Sequence, residues 1–173
     1  VAKSSDGGKT WVNINKDNVL QGYAHVIVED LENRELLFLG TEFGLYISTD
    51  SGKSWVLYKS RLPEYVAVRD IVIQHKTNDL VLGTHGRGIF IIDDISPLRR
   101  LTAEVLQKDA ALLPTRPTAV SSGHYGSSFP STDSYGGPNA PEIATVQYYL
   151  KERLNTGDVT VEIIDPSGKI IAS

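Results

Sequence analysis

Ser4-Ser5-Asp6-Gly7-Gly8-Lys9-Thr10-Trp11 and Ser48-Thr49-Asp50-Ser51-Gly52-Lys53-Ser54-Trp55 are two copies of one phrase set 44 residues apart. Both fit Ser-x-Asp-x-Gly-x-(Ser/Thr)-Trp, and both lie among short β-prone runs. Each position has a local job. The Asp carboxylate accepts bonds from N–H groups of its own turn and so pre-forms a hairpin. Gly8 and Gly52 supply a positive φ that a β-carbon penalises. Ser4 or Ser48, with Thr10 or Ser54, bridges the strand ends. Trp11 and Trp55 are each expected to bury an indole against a neighbouring sheet, on the order of a few kcal/mol. A period near 44 with a tight turn and one aromatic per unit predicts the blades of a β-propeller.

Working outward from the second copy, four short runs read as one complete blade. They are His25–Val28, Leu36–Thr41, Gly44–Ser48 and Trp55–Tyr58. Asp70–Ile73, Asp79–Thr84 and Gly88–Asp93 repeat the first three, with Gly83-Thr84 standing 43 residues after Gly40-Thr41. The third unit lacks the turn phrase, and Asp93-Asp94-Ile95-Ser96-Pro97 takes its place, as in an atypical terminal repeat. Val1–Ser4 and Trp11–Ile14 read as the outer hairpin of an earlier blade. Residues 1–97 are therefore expected to be the C-terminal blades, about two and a half, of a partial β-propeller.

Residues 98–143 change character. Leu98, Leu101, Val105, Leu106 and Leu112 have rough helical spacing. Thr102 suits the cap of a short helix over 103–108, with Glu104 in its first turn. Residues 114–141 are rich in Ser, Gly, Pro and Thr and read as a linker. In 144–173, β character returns. Val146, Tyr148 and Leu150 are expected on one side of a strand, Val159–Ile164 forms a second, and a type I turn at Asp165–Gly168 leads into a third. These read as the first strands of an incomplete immunoglobulin-like β-sandwich, because three strands do not close one. The expected fold class is all-β.

Composition excludes several functions. Net charge is −4 and the longest basic run is Arg99-Arg100, so nucleic acid is not the expected partner. There is no cysteine for a disulfide or thiolate site. No apolar run approaches the roughly 20 residues of a membrane span. The histidines at 25, 75, 85 and 124 lack close metal spacing, and no metal or cofactor is expected. With no methionine and no signal peptide, Val1 reads as an internal start and the chain as a piece of something longer.

His85 and Arg87, in a Gly-rich turn, are candidate ligand contacts for a carboxylate or sugar. The alternative is that they bond loop backbone or pair with Asp93 or Asp94. Arg61 and Arg69 are further cations, although no spacing assembles them with Arg87 into a triad. Asp93-Asp94 reads as a turn cap, with a cation pair as the alternative. Tyr125, Phe129 and Tyr135 are expected to tack the linker to a neighbour or to stack on a ligand. Asp6 and Asp50 read as hairpin staples, since a lone Asp lacks the second carboxylate that glycoside chemistry needs.

The repeated phrase resembles the Asp-box, or bacterial neuraminidase (BNR) repeat. That family includes sialidases, xyloglucanase-type glycosidases, sortilin-like receptors and photosystem assembly factors. The resemblance implies a box at the blade periphery with no catalytic part. Leu80–Arg99 is similar to the last blade of large bacterial sortilin-like repeat proteins: Thr84-His85-Gly86-Arg87, then Asp93-Asp94, then Pro97-Leu98-Arg99. Those proteins continue through an Asn-Pro-Pro linker, here Asn139-Ala140-Pro141, into a β-sandwich that 144–173 resembles. The resemblance implies a non-catalytic recognition or scaffolding portion of a secreted, periplasmic or cell-surface bacterial protein. Its partners would be the remaining blades, from the same parent polypeptide or another chain, and a glycan or peptide. The alternative is a fragment of a glycoside hydrolase, sialidase- or xyloglucanase-like, with catalytic carboxylates on other blades. A photosystem-type assembly factor suits the trailing sandwich poorly.

Overall fold

The computed structural model describes residues 1–15, 19–117, 145–153 and 159–172. They are mostly strand, in several small antiparallel sheets, with almost no helix. The chain is all-β, as expected from the sequence.

Strands β1 (Ala2–Lys3) and β2 (Val12–Asn13) form a hairpin around the first phrase. A four-stranded sheet follows in the order β3-β4-β5-β6: Ala24–Glu29, Leu37–Thr41, Gly44–Ser48 and Val56–Leu57. A three-stranded sheet comes next, β7 (Val68–Gln74), β8 (Asp79–Thr84) and β9 (Ile89–Ile92). The sequence boundaries of these strands hold to within a residue or two. Hairpin links make all pairings sequential, because each turn is short and polar.

Strand alternation gives each sheet two apolar faces. Phe38 and Leu45 of the four-stranded sheet meet Val68, Ile71, Ile73, Leu80 and Leu82 of the three-stranded one in a buried core that also holds Ile95. The opposite face, with Leu37, Leu39, Tyr46 and Trp55, closes against Ile14 from the first hairpin. Strand β4 is therefore buried on both sides. The sheets meet closely at Gly40, where a β-carbon would lie 2.6 Å from the Val68 carbonyl oxygen. Glycine is the residue that permits this approach.

The segment 98–113 departs from the expected helical reading. A 3₁₀ turn at Leu98–Arg100 precedes helix α1 (Ala103–Gln107), and strand β10 (Ala110–Leu113) follows. The cap is as expected: the Thr102 hydroxyl accepts from the Val105 N–H. Strand β10 pairs with β11 (Gln147–Leu150), so alternation with a sheet partner prevails over helical spacing around Leu112. Tyr149, on the face opposite Tyr148, bonds the Leu106 carbonyl at 3.2 Å. Of the 159–164 run, only β12 (Ile163–Ile164) is strand, paired with β13 (Ile170–Ala172) around the Asp165–Gly168 turn. The Gly168 N–H bonds Asp165 O at 2.9 Å, as a tight turn requires. Tyr125, Phe129, Tyr135, His124 and the linker around Asn139 lie outside the described residues.

Candidate functional site

The two phrases fold into the same turn. The Ser4 hydroxyl donates to Asp6 Oδ1 at 2.8 Å and accepts from the Gly8 N–H at 2.8 Å. Thr10 gives its N–H to Asp6 Oδ1 at 2.9 Å and its hydroxyl to Oδ2 at 2.6 Å. Ser48, Asp50, Gly52 and Ser54 repeat these four bonds at the same distances. Gly8 and Gly52 hold φ of 89° and 84°. The Thr10 hydroxyl, then the Thr10 N–H and Ser4, lower the Asp6 pKa to about 2. At Asp50, burial pushes upward, but Ser54 and Ser48 overcome it and the carboxyl stays below its ordinary value. Three bonds from its own turn end on each carboxylate and hold it ionised, which suits a turn staple rather than acid–base work.

The tryptophans differ. Trp55 is buried and donates its indole N–H to the Ile14 carbonyl at 3.2 Å. Trp11 is 65% exposed and donates instead to Gly8 O, inside its own turn, at 3.1 Å. The expectation that both indoles bury against a neighbour is corrected for Trp11. Among the described residues no sheet stands where Trp11 would need one.

The other end of the sheets gathers the loops. The β4–β5 loop is Glu42-Phe43, and the β8–β9 loop runs from His85 to Gly88. Thr84 closes the latter by donating its hydroxyl to Gly88 O at 2.6 Å, and the His85 N–H bonds Ala67 O at 2.9 Å. His85 and Arg87 are exposed, with Gly86 and Gly88 in open space. Neither side chain reaches Asp93 or Asp94. Asp94 instead accepts from the Ser96 and Arg116 N–H groups, at 3.1 and 2.8 Å, so the turn-cap reading fits it. Among the described residues no cluster of His, Asp and Glu suits a metal.

Strand register adds two nitrogen-bearing side chains that sequence spacing did not assemble. Both inner strands carry a bulge next to this end, between Ala24 and Val26 and between Val68 and Asp70. The extra residue is His25 in one and Arg69 in the other. Bulges re-aim side chains in this way. His25 Nε2 is buried without a hydrogen bond among the described residues. Arg61 also lies at this end, in the 58–67 connection. Exposed Tyr65 stands edge-to-face with Phe43, ring centroids 6.0 Å apart, and Tyr23 is exposed beside Glu42, whose N–H bonds Tyr23 O. The loop end thus mixes Arg61, Arg69 and Arg87 with the carboxylates of Glu42, Glu64 and Asp70 and with exposed aromatic rings, and among the described residues no pair of carboxylates is held together there for proton transfer.

A structural clamp was not foreseen. Arg99 grips Asp30 through Nε and a terminal nitrogen at 2.9 and 3.0 Å, and Glu32 at 2.7 Å. The Asp30 side chain is fully buried and Arg99 nearly so. Burial pushes the Asp30 carboxyl upward, but Arg99 and the Asn33 and Glu32 N–H groups hold it below its ordinary value. A polar cavity of about 380 Å³ beside this clamp is lined by Asn33, Asn78, Ser96, Arg99 and Arg100. A lone Asp in a turn and an Arg 69 residues later give no sequence signal of pairing.

Compared with known proteins, the chain matches no family model, no curated protein and no solved structure. Among the described residues, no helix is long and apolar enough to cross a membrane.

Proposed function

We propose that the chain is a non-catalytic recognition or scaffolding portion of a secreted bacterial Asp-box repeat protein, with its stacked sheets serving as β-propeller blades. The observation that carries this reading is the identity of the two turns. Four hydrogen bonds recur at equal distances in the Asp6 and Asp50 turns, and three of the four in each end on the carboxylate. A residue spent on closing a hairpin serves the frame and not the chemistry. Recognition then falls to the loop end, where His85, Arg87 and Arg69 face solvent beside Tyr65 and Tyr23. Arginines and aromatic faces suit a carboxylate-bearing glycan or an acidic peptide. The immunoglobulin-like reading of 144–173 and a secreted, periplasmic or cell-surface address belong to the same proposal.

A glycan and peptide array, followed by assay on sialyl and xyloglucan substrates, tests it. Binding that weakens in Arg87→Ala and His85→Ala, with no turnover, is the expected result. Turnover of either substrate that persists in purified chain would replace this reading with the glycoside hydrolase one.

A further inference from the structure

Opposite the loop end, the β3–β4 turn, the β7–β8 turn and the segment from Ser96 to Arg100 enclose the polar cavity of about 380 Å³ beside the Asp30–Arg99 clamp. That volume falls within the roughly 300–1,000 Å³ of ligand pockets. The Arg99 side chain on its wall is only 8% exposed, yet its bonding is incomplete. A guanidinium carries five N–H donors. Asp30 accepts from Nε and one terminal nitrogen, and Glu32 Oε1 stands 2.7 Å from the other terminal nitrogen. The remaining donors of this nearly buried cation have no acceptor among the described residues.

The rest of the wall is amide and hydroxyl. Ser96 Oγ accepts from Asn78 Nδ2 at 3.2 Å, which leaves the Ser96 proton and Asn78 Oδ1 open among the described residues. Asn33 Nδ2 donates to the Arg99 carbonyl at 3.1 Å and keeps a second N–H. Among the described residues no aromatic ring lines the cavity.

The two acids on Arg99 are held differently. Asp30 is fully buried and accepts the Glu32 and Asn33 N–H groups as well, at 3.0 and 2.9 Å. The Glu32 side chain is 66% exposed and has only the ion pair. A surface carboxylate of that kind is weakly held. When Glu32 turns out to solvent, Arg99 and Arg100 outweigh Asp30 by one positive charge, and an incoming carboxylate restores the balance. A planar guanidinium suits that anion.

We propose that this cavity captures the C-terminal carboxylate of a peptide, which replaces Glu32 on Arg99 while Ser96 and Asn78 bond the adjoining backbone C=O and N–H groups. The carboxamides and the hydroxyl match an amide chain. The lack of a ring denies a sugar acid its stacking platform. The site is separate from the loop end and does not rest on the reading given to that end.

Nuclear magnetic resonance titration of the isotope-labelled full chain with acetyl-Gly-Gly-Gly, as the free acid and as the C-terminal amide, tests this, with glucuronate as a third arm. The free acid is expected to shift the Asn78, Ser96 and Arg99 N–H signals and to bind about tenfold or more tighter than the amide or glucuronate. Glu32→Gln removes the competing charge at an exposed position and is expected to tighten the acid about threefold. Asn78→Gly suits the positive φ of 57° there and removes the carboxamide, and is expected to weaken the acid about threefold. Spectra unchanged away from the cavity show that both variants fold. Equal binding of acid and amide overturns the proposal, as does glucuronate binding as tightly as the acid. A response confined to the loop-end signals of His85 and Arg87 overturns it too. So does a free acid that binds neither the wild type nor Glu32→Gln.

Discussion

The indole of Trp55 bonds the carbonyl of Ile14, 41 residues earlier in the chain, at 3.2 Å. This contact ties the second turn to the first hairpin, and Gly52 packs 3.0 Å from the same isoleucine where a β-carbon would stand. Trp55→Ala is expected to cost about 3–5 kcal/mol, the range for emptying a buried aromatic site. Trp11→Ala, in the same phrase but exposed, is expected to change monomer stability by about 0.5 kcal/mol or less. Urea unfolding at low protein concentration measures both. Equal losses would show that the indoles stabilise only their own turns.

The two turn carboxylates give the chain an acid limit. Asp6 titrates near 2 when folded, against an ordinary 3.8, and Asp50 is lowered as well. A depressed folded pKa contributes stability above the unfolded value and loses it as pH falls through the folded one. Stability is therefore expected to decline from 3.8 toward about 2 and to be flat above that window at these sites. Asp50→Asn keeps the shape but loses the charge, and is expected to cost about 1–2 kcal/mol near neutral pH after solvent screening. Denaturation followed against pH checks the sign: the variant should show a shallower acid slope than the wild type.

Gly40 and Gly83 occupy matching places in successive sheets, but only one is crowded. A β-carbon at Gly40 lies 2.6 Å from Val68 O, and one at Gly83 lies 3.3 Å from Asp70 Cβ. Gly40→Ala is expected to destabilise by about 1–3 kcal/mol and Gly83→Ala by clearly less. Thermal unfolding of the pair provides the comparison.

Arg99→Ala strands the buried Asp30 carboxylate, and a loss of about 3–5 kcal/mol is expected. Replacing the pair together, Arg99→Met with Asp30→Leu, should cost less than the single change. The Asp30 carboxylate also caps the Glu32 and Asn33 N–H groups, at 3.0 and 2.9 Å, so some loss remains. A double-mutant cycle in urea separates the two terms.

Local chemistry made much of the fold legible. The Ser-x-Asp-x-Gly phrase encodes its own turn through bonds spanning at most four residues, so its geometry is written in place. Strands with clean alternation, such as Leu80 to Thr84, were equally plain. Residues 110–113 were misread because Leu112 fits a helical spacing and its strand partner lies beyond a long Ser/Gly/Pro run. Trp11 was misread because burial depends on what stands opposite, which the phrase does not specify. At the loop end, His85 and Arg87 were visible in their glycine-rich turn. Arg69 and His25 joined them only through bulges, which are register events that sequence spacing hides.

The Asp30 turn has one further consequence, for the order of events on the ribosome. Its carboxylate is made early, and the guanidinium that neutralises it emerges only with Arg99, after both sheets have left the exit tunnel. Until then the acid keeps its water, and the 24–57 sheet exists without its latch. Nascent chains halted before Arg99 clears the tunnel should therefore remain protease-sensitive at this turn, and chains long enough to expose it should be sealed there.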